Sequence, residues 1–337
     1  MTKKQPLALL LILVCALAVL FGVFFVLDRS DSGNPDAQEP GKTVEEMMGQ
    51  GEEEALPVYH NGEAYVKNPN LESYLILGVD QLGEVQISEG YNGGGQSDVI
   101  LVLVVDHTRE QVSLLQINRD TMTEVEVLGV RGDVVGTRTE QIALAHAYGT
   151  GTKDSCENAV RAVSHLLYDA KIDGYASIRM EAMPVLNDLL GGVTVPIEDD
   201  FSQADPTLVQ GETVTLQGDQ VLHFIRNRLD VGDGTNLERM GRHRVYLSAF
   251  RDAMEQQMEE DPDLLVRMYD AAIPYIVTDT GSGTVSKLAQ KCSGYTNRGI
   301  VNIDGEARQG EIYVEFYADE LSIKETVLNL FYIKQES

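Results

Sequence analysis

Two segments about a hundred residues apart, Gln116-Ile117-Asn118-Arg119-Asp120-Thr121 and Phe224-Ile225-Arg226-Asn227-Arg228, place guanidinium groups where predicted strands run out. Arg226 and Arg228 read as cations on one face of an alternating strand, which repel unless an anion or carboxylates lie between them. A third group, Arg239, Arg242 and His243, falls at i, i+3 and i+4 near the start of a helix predicted over 236–254. Free backbone amides and the helix dipole at such a start already favour an anion. The chain has 53 acidic residues against 26 basic ones, a formal net charge of −27. That surface repels nucleic acid, which is excluded as a partner, and makes the few clustered arginines informative. Each charge-assisted bond contributes roughly 1.5–3 kcal/mol, so three or four arginines would hold a strongly anionic ligand against water. The plainer readings are a strand-end salt bridge of Arg119 with Asp98 or Asp120, and a solvated basic helix face.

The elements that must bring these groups together are legible in outline. Ser73 to Val79 reads as a buried strand ending at Asp80, and the run Val99-Ile100-Leu101-Val102-Leu103-Val104-Val105 as a strand covered on both faces. A turn centred on His107-Thr108 leads back through Gln111 to Ile117, with Asp98 opposite Asn118 and beside Arg119. If the first strand runs parallel to Gln111–Ile117, then Asp80, Asp98, Arg119 and Asp120 converge on one sheet edge, where open α/β sheets bind ligands. A helix is expected from Asp154, its N-cap, with Ala159, Val160, Val163, Leu166 and Leu167 on one stripe. The mixture of strands, helices and a hairpin predicts an α/β fold with a mixed central sheet sandwiched by helices.

Pro6 to Leu27 contains no charged residue, and as a helix would extend roughly 33 Å, enough to cross a bilayer core. Lys3 and Lys4 precede it, so the expected arrangement is a cytoplasmic tail (1–5), one transmembrane helix (6–27) and an acidic linker (28–57). A hairpin lead-in (58–70), signalled by Asn61-Gly62, and an extracytoplasmic domain over 71–335 follow. Residues 81–96, with Gly93-Gly94-Gly95, read as a flexible insertion. Cys156 and Cys292 are left either bridged or free. Behind a membrane anchor, the anionic ligand that fits is a lipid-linked pyrophosphate.

Taken in order, Leu77-Gly78-Val79-Asp80, Gln96-Ser97-Asp98-Val99-Ile100-Leu101, Ile117-Asn118-Arg119-Asp120-Thr121 and Ala145-His146-Ala147-Tyr148-Gly149 resemble the LytR-CpsA-Psr family of cell-envelope proteins. So do Leu189-Leu190-Gly191-Gly192-Val193-Thr194-Val195, Leu216 to Arg228, and Arg239-Met240-Gly241-Arg242-His243-Arg244. The resemblance implies the family's three-layer fold and transfer of a glycopolymer, such as wall teichoic acid or capsular polysaccharide, from undecaprenyl pyrophosphate to peptidoglycan. It implies Arg119, Arg226 and Arg239 as pyrophosphate-binding residues with Arg228, Arg242 and His243 as neighbours. Asp98, Arg119 and Asp120 would be catalytic, and Asp80 and Asp98 would be associated with Mg²⁺ or Mn²⁺. It also implies an apolar tunnel for the prenyl chain, in which the helix at Cys156–Tyr168 is a candidate wall. The chain departs from the family where an arginine usually follows the first aspartate, since Gln81 follows Asp80 here. That departure keeps a non-catalytic lipid-pyrophosphate binder in view, beside a hydrolase that uses water as acceptor.

Overall fold

The computed structural model describes residues 57–335 apart from 82, 87–92, 130, 228–230, 232–241, 243–244, 247, 255, 258–260, 262–263, 293 and 311–312. The expected membrane helix, the acidic linker up to residue 56, and residues 82 and 87–92 of the glycine-rich insertion therefore lie outside the described residues. Among the described residues, no helix is long and apolar enough to cross a membrane. Cys156 and Cys292 are both free thiols.

The centre is a six-stranded mixed sheet in the order β11 (Ile276–Thr278), β8 (Gly174–Arg179), β3 (Leu71–Val79), β4 (Ser97–Asp106), β5 (Gln111–Ile117) and β12 (Thr296–Asn302). β3 runs parallel to β8 and antiparallel to β4, which is antiparallel to β5, so β3 and β5 end on the same rim. Alternation along β3 and β4 divides the core. Leu75, Leu77, Val79, Ile100, Val102 and Val104 pack with Ala159 and Val163 of helix α2 (Lys153–Leu166) on one face. Ile76, Leu101, Leu103 and Val105 face the other way, onto Leu288 of a second helix, Ser282–Lys291. These are the two covering layers expected of a strand that is apolar at every position. α2 starts one residue before Asp154. Thr152 is its N-cap residue, while Asp154 accepts from the amide and hydroxyl of Thr150, at 2.8 and 2.7 Å.

The hairpin register is one residue off the expected one. Asp106 pairs with Gln111 and Ile100 with Ile117, which carries Asp98 opposite Arg119 and not Asn118. The cause is a four-residue turn: Asp106 Oδ1 accepts the amides of both Thr108 and Arg109, at 2.9 and 3.0 Å, and Glu110 takes a positive φ of 51°. A further core, as extensive as the one under helix α2, lies beside β8. It joins α3 (Ala182–Leu189), α4 (Gln220–Arg226), the helical residues 248–254 and α5 (Leu264–Ala272) around Phe201, Phe224, Tyr246 and Met268.

Candidate diphosphate-binding rim

Asp98 owes its position to a bulge. Gly78 pairs with Val99 and Val79 with Ser97, so Asp98 is the extra residue on β4. Such an insertion twists the strand and re-aims one side chain, here along the rim toward β5. Arg119, just past the end of β5, answers it: Nη1 donates to Asp98 Oδ1 and Nη2 to Gln96 Oε1. Asp120 lies 3.5 Å from Arg119 Nε, too far for a hydrogen bond, and its Oδ1 accepts from Gln141 Nε2 at 2.8 Å. Burial raises the Asp120 carboxyl above the usual aspartate range, and the charge of Arg119 pulls it back only in part.

The loop behind Asp98 is held by a buried histidine. His146 Nδ1 donates to the Gly95 carbonyl at 3.1 Å, which leaves Nε2 to accept from Ser177 Oγ, also at 3.1 Å. Burial pushes its pKa down to about 4, so it is neutral at pH 7. Gly94 passes so close to the His146 carbonyl and Ser155 Oγ that a Cβ there would overlap both. Glycine at this point is a matter of space, since the loop must enter β4 against that backbone.

Arg226 corrects the expectation of a strand. Val221, Phe224 and Ile225 stand at i, i+3 and i+4 and are all buried, so Gln220–Arg226 closes as helix α4, with Asn227 extended at its C-cap. A five-residue segment satisfies both periods, and the apolar residues just before it decide the outcome. Arg226 therefore projects from a helix C-terminus, where a cation is favoured. Its Nη2 donates to Asp80 Oδ1 at 3.1 Å, and its Nη1 lies 4.0 Å from Glu181 Oε1.

Arg242 is placed differently. It is buried, with Nε donating to the Phe224 carbonyl at 2.9 Å, Nη1 to Asp199 Oδ2 at 2.5 Å, and Nη2 to the Asn227 carbonyl. Its guanidinium stands over the Phe201 ring at 5.5 Å. It caps α4 and thereby sets the direction of Arg226. Arg228, Arg239 and His243 lie outside the described residues.

Across the rim the order is thus Arg119 just past β5, Asp98 on β4, Asp80 just past β3 with Arg226 upon it, then Arg179 and Glu181 on and beyond β8. Neighbouring strands are about 4.8 Å apart, so Arg119 and Arg226 flank a span of roughly two spacings, within reach of one diphosphate. Sequence reading missed two members. Arg179 pairs in register with Val79 and donates to the Glu84 carbonyl at 2.6 Å, tying down the chain that leaves Asp80. Glu181 precedes α3. Their only sequence signal is Arg179-Met180-Glu181, two charges spaced to share a face where a strand ends.

Four buried side-chain atoms have no hydrogen-bond partner among the described residues: Gln81 Oε1, Ser97 Oγ, Arg119 Nε and Glu181 Oε2. All four belong to residues of this rim or its adjoining turns. Buried polar atoms are nearly always paired, so each of these four calls for a partner such as an ordered water, an ion or a ligand. No group of three or more His, Cys, Asp or Glu side chains converges to hold a metal among the described residues. The donor chemistry suits a hard cation that takes one or two carboxylate oxygens and completes its shell with phosphate and water.

The fold is thus a mixed α/β sheet with arginines and carboxylates gathered on one rim. The profile of the LytR_cpsA_psr family matches residues 37–330, and the chain belongs to that family. It is 34% identical over 160 residues to the polyisoprenyl-teichoic acid–peptidoglycan teichoic acid transferase TagU of Halalkalibacterium halodurans, a match covering 46% of this chain and 44% of that protein. It is 29% identical over 184 residues to biofilm regulatory protein A of Streptococcus mutans, covering 52% and 42%. The chain thus spans less than half the length of these curated relatives. Among solved structures, TagV of B. subtilis shares the fold with a TM-score of 0.52 and 20% identity, over 79% of this chain and 97% of that one.

Proposed function

We propose that the chain transfers a glycopolymer, wall teichoic acid or a capsular or related polysaccharide, from an undecaprenyl-pyrophosphate carrier to peptidoglycan. It would act at the outer face of a membrane in which residues 6–27 anchor it. The observation that carries this reading is the rim, where two arginines interleave with carboxylates and the buried Nε–H of Arg119 has no hydrogen-bond acceptor among the described residues. Phosphate oxygens are the acceptors such a donor lacks. Family membership and the transferase name carried by TagU support the same reaction class.

In this reading Arg119 and Arg226 grip the diphosphate and neutralise the charge that gathers on the leaving phosphate, the main task in phosphoryl transfer. Arg228, Arg239 and His243 extend the cationic wall. Asp98 and Asp120 orient Arg119, and Arg242 orients Arg226 through the end of α4. Asp80 and Asp98 would hold Mg²⁺ or Mn²⁺, which supplies further charge neutralisation at phosphate oxygens. The acceptor hydroxyl attacks the phosphorus that bears the glycan, the bridging P–O bond breaks, and undecaprenyl phosphate leaves behind a phosphodiester.

The test uses vesicles carrying a labelled lipid-linked glycan together with peptidoglycan. Wild-type protein moves label into peptidoglycan, and Arg119→Ala does so about 10²–10³-fold more slowly while remaining folded. Transfer at the wild-type rate by that variant contradicts the reading. Glycan released without attachment would make the protein a hydrolase, and lipid held without turnover a binder.

A further inference from the structure

Glu181 belongs to the rim but has no task in the reaction as described. It stands two residues beyond Arg179 and immediately before α3. Its Oε1 is 4.0 Å from Arg226 Nη1, so Arg226 sits between Glu181 and Asp80. The charged groups facing it are Arg226 from α4, Asp80 from β3 and Arg179 from β8. Its Oε2 is buried without a hydrogen-bond partner among the described residues, while the side chain keeps 17% of its surface open. A half-turn of the carboxyl group exchanges the covered and the open oxygen.

What that oxygen lacks is a donor. A diphosphate at neutral pH offers acceptor oxygens only, and would meet Glu181 as like charge. Arg119 Nε and Ser97 Oγ can both donate to a phosphate, whereas a carboxylate oxygen cannot. An O–H group is one donor that fits there, and the proposed reaction brings one to the rim. The two aspartates near Arg119 each have one carboxylate oxygen committed to a neighbouring side chain. Asp98 Oδ1 already accepts from Arg119, and Asp120 Oδ1 already accepts from Gln141 at 2.8 Å.

We propose that Glu181 accepts the hydrogen bond of the acceptor sugar's hydroxyl and takes its proton as that oxygen attacks phosphorus. This rests on the transferase reading. The hydroxyl oxygen forms the new O–P bond, the bridging P–O bond breaks with its electron pair leaving on undecaprenyl phosphate, and the proton passes to Glu181 and then to solvent. Burial raises the Glu181 carboxyl above the usual glutamate range, against the pull of Arg226 and nearby backbone amides, which moves it toward what a general base at neutral pH requires.

The experiment compares full-length wild-type protein, Glu181→Gln and Glu181→Asp in two assays: binding of geranyl pyrophosphate by calorimetry, and transfer from lipid-linked glycan to peptidoglycan in vesicles. Glutamine keeps the size and an acceptor oxygen but cannot hold the proton. Glu181→Gln is expected to bind geranyl pyrophosphate within about twofold of wild type and to transfer about 10²–10⁴-fold more slowly. Glu181→Asp, which keeps a carboxylate on a shorter arm, is expected to bind normally and to transfer faster than the glutamine variant. If Glu181→Gln fails to fold, normal binding with transfer slowed at least about tenfold in Glu181→Asp supports the assignment, and an unchanged rate overturns it. Transfer by Glu181→Gln at the wild-type rate overturns it, as does a loss of binding equal to the loss of transfer. Absence of transfer by the wild type itself overturns the transferase reading and this assignment together, whereas a working wild type matched by Glu181→Gln overturns this assignment alone.

Discussion

Arg119 and Arg242 are the same residue in two opposite settings. Arg242 is 6% exposed and each of its three nitrogens has an acceptor within the protein. Arg119 keeps 33% of its side chain open, donates to one carboxylate and one amide oxygen, and leaves its buried Nε without a hydrogen bond among the described residues. One guanidinium is closed by the fold and the other completed only by something from outside. Charge and residue type do not separate a structural arginine from a ligand-binding one; the count of satisfied donors does. Function should be lost at the first without loss of stability, and stability at the second before any effect on chemistry.

The largest effect on folding is expected at Arg242. Removing one partner from a buried ion pair costs about 3–5 kcal/mol, and Arg242→Ala would leave Asp199 and the carbonyls of Phe224 and Asn227 unserved. Chemical denaturation measures this directly. A loss under about 1 kcal/mol would erase the contrast with Arg119.

Next is His146, which supports the turn ahead of Asp98. Its folded pKa of about 4 lies below the ordinary histidine value of 6.5, so its contribution to stability is fully present above pH 6.5 and lost as pH falls through 4. The gap corresponds to about 3 kcal/mol. Denaturation between pH 7 and 4 should show that loss in the wild type, and His146→Gln should lack this part of the slope. Equal slopes would mean that the imidazole is not held neutral. The smallest effect is expected at Arg226, whose Asp80 contact is shared with solvent. Arg226→Ala should weaken geranyl pyrophosphate binding about 10–100-fold, the equivalent of one charge-assisted bond, with unchanged stability.

Much of this arrangement is legible in the residues because it rests on local rules. The unbroken apolar run of β4 announces burial on both faces, and chain reversal at Asp106 brings Asp98 to Arg119 with an error of one register step. That step depends on a side chain accepting two turn amides, which the hairpin pattern alone does not reveal. Phe224 to Arg228 alternates well enough to pass for a strand, and only the burial of Val221 with Phe224 and Ile225 makes it a helix. The inward turn of Arg242 depends on Asp199, a loop residue over forty positions away, so no local pattern signals it. Glu181 is a lone carboxylate ahead of a helix, the commonest of unremarkable contexts, and it gains significance only from Arg226 arriving across the rim.

The most direct test of the central claim is one pair of measurements on Arg119→Ala: calorimetric titration with geranyl pyrophosphate and thermal unfolding, each against the wild type. An open, incompletely satisfied arginine predicts binding weakened at least about tenfold with the unfolding temperature unchanged or raised. Undiminished binding, or a fall in unfolding temperature like that of Arg242→Ala, would show that Arg119 is another internal strut and that the rim is not where the diphosphate is held.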